Sequence, residues 1–203
     1  MIDVIDYRAG NSPSVIYALE RLGLECRLVA KPEEVTESER LVLPGVGAAA
    51  ATLDSLRESE LLDALAQRVQ RDRVPFLGIC IGLQVLFEHS EEGDTPCLGW
   101  LPGRIRRLTD GLRVPQIGWN EVRFTRSHPV TAGLPDRGHY YFVNSFYADP
   151  ADFGDALGRT EYGIEFASVV AHDNIVATQF HAEKSGSLGL RLLADFAAWD
   201  GRC

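Results

Sequence analysis

A chain of 203 residues is long enough for one α/β domain with a substantial core, and its make-up, 45% hydrophobic and 24% charged, is that of an ordinary globular protein. The net charge of −9 argues against a nucleic-acid partner, and no apolar run approaches the length of a membrane span. Residues 1–6 enter a strand pattern directly, with no basic start or cleavage site, so the cytoplasm is the expected location. Cys26, Cys80, Cys97 and Cys203 show no Cys-x-x-Cys spacing; neither a zinc site nor a redox pair is expected, and all four read as free thiols.

In chain order, residues 1–6 alternate apolar and acidic, and residues 7–11 make a loop. Ser12 followed by Pro13 predicts an N-cap and first helical residue, with Val15, Ile16, Leu19 and Leu22 as the apolar stripe and Gly23 as the stop. Strands are predicted over 25–30 and 40–43, the second leading into Pro44-Gly45-Val46-Gly47 and an Ala-rich helix. Leu61, Leu62, Leu65 and Val69 mark another helix before a short apolar strand at 74–77, and residues 83–87 look helical again. Alternation of strand and helix over about ninety residues implies a mostly parallel sheet covered on both faces, with ligands bound beyond the strands' carboxyl ends. Asn11, the loop 45–47 and Cys80 all fall at such ends. The second half reads as more antiparallel, with strands over 104–108, 121–124, 140–146, 167–171 and 175–180, and a hairpin turn at His172-Asp173-Asn174. Ser185 can cap a last helix carrying Leu188, Leu192, Leu193 and Phe196. With no repeat, low-complexity tract or linker, residues 1–203 read as one domain.

The chemistry centres on Gly78-Ile79-Cys80-Ile81-Gly82. Glycines two before and two after a cysteine, between an apolar strand and a helix, permit the sharp turn of a nucleophile elbow. The turn sets the sulfur at a helix N-terminus, where the unpaired N–H groups favour thiolate over thiol. The alternative is one more buried cysteine in an apolar run, and the pentapeptide does not decide. A nucleophile needs a base, and the base an orienting group. His89, His128 and His172 read as solvated loop histidines, and His139 lies at the start of an aromatic strand. His181 ends a strand in Gln179-Phe180-His181-Ala182-Glu183, where Glu183 can accept an imidazole N–H and fix its tautomer. The other reading is a surface His-x-Glu. Gly45-Val46-Gly47 can offer a backbone N–H to an oxyanion beside that of Ile81. A plain turn or phosphate loop is the competing reading, although the Lys-Ser/Thr ending of a P-loop is missing.

These residues resemble the class I glutamine amidotransferases through Gly78-Ile79-Cys80-Ile81-Gly82-Leu83-Gln84 and Gln179-Phe180-His181-Ala182-Glu183-Lys184-Ser185. Within that class, Asp6-Tyr7 with Ala9-Gly10-Asn11, Pro44-Gly45-Val46-Gly47, Pro115 to Asn120 and Tyr141-Phe142-Val143-Asn144-Ser145 resemble the HisH family of glutaminase subunits. The resemblance implies a flavodoxin-like three-layer fold whose central sheet is mostly parallel, with an antiparallel portion from the C-terminal half. It implies a Cys80–His181–Glu183 triad hydrolysing glutamine, oxyanion binding by the Val46 and Ile81 backbone, and glutamine binding by Gly45, Gly47, Gln84 and Ser145, with no cofactor or metal. It also implies a heterodimer in which a HisF-type cyclase receives the ammonia, with Tyr7, Asn11, Trp119 and Lys184 near the interface. A core position for Trp119 is the alternative.

Several residues depart from the commonest family pattern: Arg8 stands in place of glycine, Ser12-Pro13 in place of an apolar-basic pair, Gln116 and Asn144 where histidine is frequent, and Ala182 in place of proline. None removes a catalytic group. They bear on partner identity and coupling, and leave open a paralogue supplying ammonia to a different synthase, for example in surface-sugar amidination.

Overall fold

The computed structural model describes residues 1–8, 10–108, 111 and 113–202; Ala9 of the loop motif and Cys203 lie outside the described residues. Strand β1 (Ile2–Ile5) is followed by α1 (Ser12–Arg21), β2 (Cys26–Val29), α2 (Pro32–Thr36), β3 (Leu41–Gly45), α3 (Ala49–Glu58), α4 (Leu61–Ala66), β4 (Phe76–Cys80) and α5 (Ile81–Gln84). Then come β5 (His89–Ser90), β6 (Thr95–Pro96), β7 (Gly103–Arg107), β8 (Gln116–Phe124), β9 (Arg137–Asn144), β10 (Phe146–Pro150), β11 (Ala156–Tyr162), β12 (Ile164–His172), β13 (Ile175–Thr178) and α6 (Gly186–Ala198).

Among the described residues the strands join in one sheet ordered β2-β1-β3-β4-β13-β12-β10-β7-β5-β6, with β11 on β12, β8 on β11 and β9 on β8. The pairs β1–β2, β1–β3, β3–β4 and β4–β13 are parallel. The order 2-1-3-4-13 is that of a flavodoxin-like sheet, as the resemblance implies. Strands β1, β3, β4 and β13 are buried along their whole length, so helices must cover both faces. Helix α1 packs against α6, and α2 and α3 against α4. Each fully buried Phe76, Leu77, Leu43 or Val176 contributes about 1.5–3 kcal/mol of hydrophobic stabilisation. The acidic alternation in β1 does not mark a wet face. Asp3 is buried, and Arg27 of the neighbouring strand neutralises it at 2.7 Å. No helix of the described residues is long and apolar enough to cross a membrane.

Several local expectations shift. Ser12 is not the cap of α1; Asn11 occupies that place, while the Ser12 hydroxyl is buried and donates to the Ile5 carbonyl at 2.9 Å. The helical pattern of residues 61–69 leaves α geometry at Ala66 and continues as a π turn, Gln67–Arg71. The helix after Cys80 lasts one turn rather than reaching Phe87. The carbonyls of Val85, Leu86 and Phe87 accept hydrogen bonds from residues 98–101 instead of from a continuing helix. The predicted strand 140–146 breaks at Ser145, because β9 belongs to the β8 ladder while β10 pairs with β7 and β12. Strand β11 is unforeseen and β8 begins five residues earlier than predicted, at Gln116. The 172–174 turn joins β12 to β13 as expected, with His172 opposite Ile175.

Candidate active site

Cys80 is the last residue of β4 and precedes α5, with φ 56° and ψ −105°. A non-glycine residue held there costs about 1–3 kcal/mol, a strain that tight packing maintains. The flanking glycines are required by contact. A Cβ on Gly82 would lie 1.9 Å from the Leu43 carbonyl oxygen, and one on Gly78 would lie 2.5 Å from the Gly82 carbonyl oxygen. The elbow is therefore pressed between β3 and its own return. Ile81, the first residue of α5, has an N–H with no helical acceptor.

His181 enters from the loop after β13, where its N–H donates to the Tyr141 carbonyl at 3.0 Å. Its imidazole is buried, and Nδ1 lies 2.8 Å from Glu183 Oε1. Burial alone would depress the imidazolium. Hydrogen bonds to Cys80 and Glu183, with their charges, more than offset it and hold the His181 pKa up at about 9. The shift favours the imidazolium form of His181 at neutral pH. Asn11 Nδ2 donates to the same Glu183 oxygen at 3.0 Å. Glu183 thus bridges the imidazole and an amide 172 positions away in sequence. Although Ala182 occupies the proline position, the segment is a 3-10 turn closed by Lys184 N–H to His181 O, and Ser185 Oγ donates to that carbonyl at 2.6 Å.

A cavity of about 250 Å³ opens in front of the sulfur, bordered by Val46, Gly47, Ile81, Gln84, Ser145 and His181, with Glu92, Pro115 and residues 143, 144 and 146 completing its wall. Three larger depressions elsewhere lack Cys80 and His181; size does not locate the chemistry here. Gln84 Nε2 donates to the Gln179 and Phe146 carbonyl oxygens, and its own Oε1 is buried without a protein partner. Asn144 Oδ1 is likewise unpartnered, as are both amide atoms of Gln116, which faces Asn144 across the β8–β9 ladder. Buried polar atoms of this kind keep hydrogen-bonding capacity for a ligand or water.

The structure brings Cys80, His181, Glu183, Val46, Gly47, Ile81, Gln84 and Ser145 together. The remaining expected residues lie as follows. Gly45 does not border the cavity; it is buried where a Cβ would meet Ile81 and the Tyr7 hydroxyl. Tyr7 is no surface residue: it is fully buried and its hydroxyl donates to the Pro44 carbonyl at 2.9 Å, beneath the 45–47 loop. Desolvation holds its pKa up at about 12. Asn11 spends its amide on Glu183. Trp119, by contrast, is 56% exposed and so outside the core, with Tyr141 against it at 6.1 Å between ring centroids; Lys184 is exposed as well. Glu92 on the cavity wall and the buried Gln179 beside the sulfur had no reading as site residues in the sequence. Glu92 sits in an unpredicted 3-10 turn and accepts the Ala49 N–H at 2.9 Å. Gln179 Nε2 lies 3.8 Å from the sulfur.

Among the other histidines, His89 pairs with Asp94 and His172 with Asp155 near the surface, and His139 is exposed. His128 is not solvated. Burial pushes its pKa down to about 4, Nδ1 accepts the Val130 N–H, and the ring packs on Trp199. Cys26 and Cys97 are free thiols, half-buried, and desolvation raises Cys97 to about 11. Among the described residues, no group of three or more His, Cys, Asp or Glu side chains is placed to hold a metal ion.

The family model for "Glutamine amidotransferase class-I" matches residues 3–198. The imidazole glycerol phosphate synthase subunit HisH of Dehalococcoides mccartyi is 48% identical over 197 residues, covering 97% of this chain and 96% of that protein. That of Chloroflexus aurantiacus is 46% identical over 204 residues, covering 98% and 96%. A crystal structure of a glutamine amidotransferase superposes with a TM-score of 0.77 over 98% of this chain and 99% of that one; at 23% identity it speaks to the fold alone. On a match that spans nearly all of its length, the chain belongs to the class I glutamine amidotransferases, and within them to the HisH family of imidazole glycerol phosphate synthase subunits.

Proposed function

We propose that this chain hydrolyses glutamine through Cys80, His181 and Glu183 and passes the ammonia to a HisF-type cyclase subunit. That cyclase uses it to make imidazole glycerol phosphate and an aminoimidazole carboxamide ribonucleotide in histidine biosynthesis. The observation that carries the reading is one arrangement: a strained cysteine at a helix start beside a buried histidine whose Nδ1 is held by a buried carboxylate.

The thiolate of Cys80 attacks the side-chain amide carbon, and the oxyanion is received by the Ile81 and Val46 N–H groups. The His181 imidazolium gives its proton to the departing nitrogen, releasing ammonia and leaving a γ-glutamyl thioester. Neutral His181 then takes a proton from water as the hydroxide adds to the thioester. Collapse expels the thiolate, releases glutamate and restores the imidazolium. Glu183 keeps the imidazole in one tautomer and stabilises its charge. Gln84 Oε1 and Asn144 Oδ1 are acceptors for substrate N–H groups, Glu92 offers a carboxylate to the ammonium, and Gly47 and Ser145 complete the pocket.

Ile117, Trp119 and Val143 expose apolar side chains on β8 and β9, with Ile117 opposite Val143, beside the cavity wall. They fit a surface covered by the cyclase, with Trp119 as anchor and Lys184 at its edge. A sealed junction has a chemical purpose, because ammonia reaching water protonates and ceases to be a nucleophile.

The test is glutamine hydrolysis by the full chain with and without the cyclase and its nucleotide substrate. Hydrolysis is expected to be slow alone and accelerated in the loaded complex. Cys80→Ala should lose at least about 10⁴-fold of the glutamine-dependent rate while ammonia-dependent cyclase turnover persists. Glutamine-dependent turnover surviving in that variant would remove Cys80 as nucleophile.

A further inference from the structure

We infer that Gln179 is a further catalytic residue, a hydrogen-bond donor that holds the Cys80 sulfur as thiolate, and that Gln84 positions it. This rests on Cys80 being the nucleophile. Gln179 follows β13, is fully buried, and is tied through its backbone N–H to the Ser168 carbonyl at 2.8 Å. Its side chain makes two contacts: Nε2 to Cys80 Sγ at 3.8 Å and Oε1 from Gln84 Nε2 at 3.1 Å.

The polarity of this chain of amides is set by one backbone group. The Phe146 carbonyl can only accept, and it takes Gln84 Nε2 at 3.4 Å and Asn144 Nδ2 at 2.9 Å. Gln84 must therefore turn its nitrogen toward Phe146 and Gln179. That nitrogen needs an oxygen facing it, which turns the Gln179 oxygen away from the sulfur and its N–H toward it. A reversed Gln179 would set nitrogen against nitrogen at one end and a carbonyl oxygen against the sulfur at the other.

A thiol is a poor acceptor and a thiolate a strong one, so the amide is better satisfied by the ionised form. As a thiol, Cys80 can donate to the Val143 carbonyl at 4.0 Å; as a thiolate it is repelled by that oxygen. Gln179 and His181 offset the repulsion from the opposite chemistry. Gln84 thereby serves two ends: its Nε2 orients the donor to the sulfur, and its unpartnered Oε1 belongs to the substrate pocket. The titratable groups around the sulfur are His181 with Glu183 behind it, Tyr7 beneath the 45–47 loop and Glu92 on the cavity wall.

The experiment is alkylation of Cys80 by iodoacetamide in the full-length chain as a function of pH, with the adduct located by peptide mass, for the unsubstituted protein, Gln179→Met and Gln179→Glu. Iodoacetamide is small and neutral, so the rate follows the thiolate fraction. In Gln179→Met the pH midpoint of alkylation should rise by about one unit, so that at pH well below the parent's midpoint the rate falls about tenfold. In Gln179→Glu, which keeps the acceptor for Gln84 but turns a carboxyl oxygen on the sulfur, the rise should be larger. In steady-state assays kcat for glutamine should fall about tenfold with KM within about twofold, a split that general loosening would not produce. An unchanged alkylation midpoint in a folded variant overturns the role of Gln179. Should Gln179→Met fail to fold, the near-isosteric Gln179→Glu decides alone. Glutamine turnover by Cys80→Ala would instead overturn the nucleophile, so the two failures are distinguishable.

Discussion

Along β4 and β13 every residue is buried, whereas along β8 only Gln116 and Val122 are. The two regions meet at one cavity, which β4 reaches through Cys80 and the β8–β9 ladder through Val143 and Asn144 of β9. The parallel wall delivers Cys80, Gln179 and His181 from strand ends whose neighbours leave no room for adjustment. The antiparallel wall delivers Asn144 and Ser145 from the break between β9 and β10, and turns Ile117, Trp119 and Val143 outward. Rigidity and strain suit the wall that holds reacting atoms in place. Exposed apolar side chains suit the wall that the proposed function assigns to a partner.

Substitutions that act on one wall and spare the other test this division. The largest effect is expected from Glu183→Gln, which permits the wrong imidazole tautomer. It should lower kcat by about 10²–10⁴-fold with the fold intact, and a steady-state assay showing less than a tenfold loss would deny Glu183 its orienting role. Gly82→Ala pushes a methyl into the Leu43 carbonyl and should cost about 3 kcal/mol or more. Denaturant unfolding measures it, and unaltered stability would mean that the elbow is less tightly held than its geometry indicates. Trp119→Ala should leave the isolated chain's thermal midpoint and basal hydrolysis nearly unchanged yet weaken cyclase binding about 30-fold, or roughly 2 kcal/mol. Equal titration curves for variant and parent would take the anchor off the outer wall. The smallest effect belongs to Ala182→Pro. The preceding residue is extended and position 182 opens a 3-10 turn, so proline should fit and add about 0.4–1 kcal/mol, raising the thermal midpoint by about 1–4 °C. A lower midpoint would show that the segment depends on freedom at that position.

Arg8 illustrates how a family departure is absorbed. It adopts φ 66°, where glycine is free of strain, and the turn is supported by the Asp6 carboxylate accepting the Arg8 N–H at 3.1 Å. Gln116 and Asn144 behave differently. They stand opposite one another, buried with unpartnered amide atoms, and their partners are to be sought in the substrate or the complex.

By itself the sequence determined what depends on near neighbours. Glycines at 78 and 82 set the elbow through local sterics, the two-residue spacing of His181 and Glu183 allowed their contact, and the stripes of α1 and α6 followed from helical period. Strand β11 was less legible because Gly158 and charged residues dilute its pattern; packing against Val122 and Val169 replaces it. The one-turn length of α5 was hidden because residues 98–101 claim the carbonyls of Val85, Leu86 and Phe87, which a longer helix would have used. Only the tertiary structure decided that Tyr7 lies beneath the 45–47 loop, that Asn11 reaches Glu183, that Gln179 reaches Cys80 and that Trp119 faces outward. The reason is physical: such contacts join residues far apart in the chain, and they exist only when strand order and register are set, since a shift of one residue would turn each side chain to the other face.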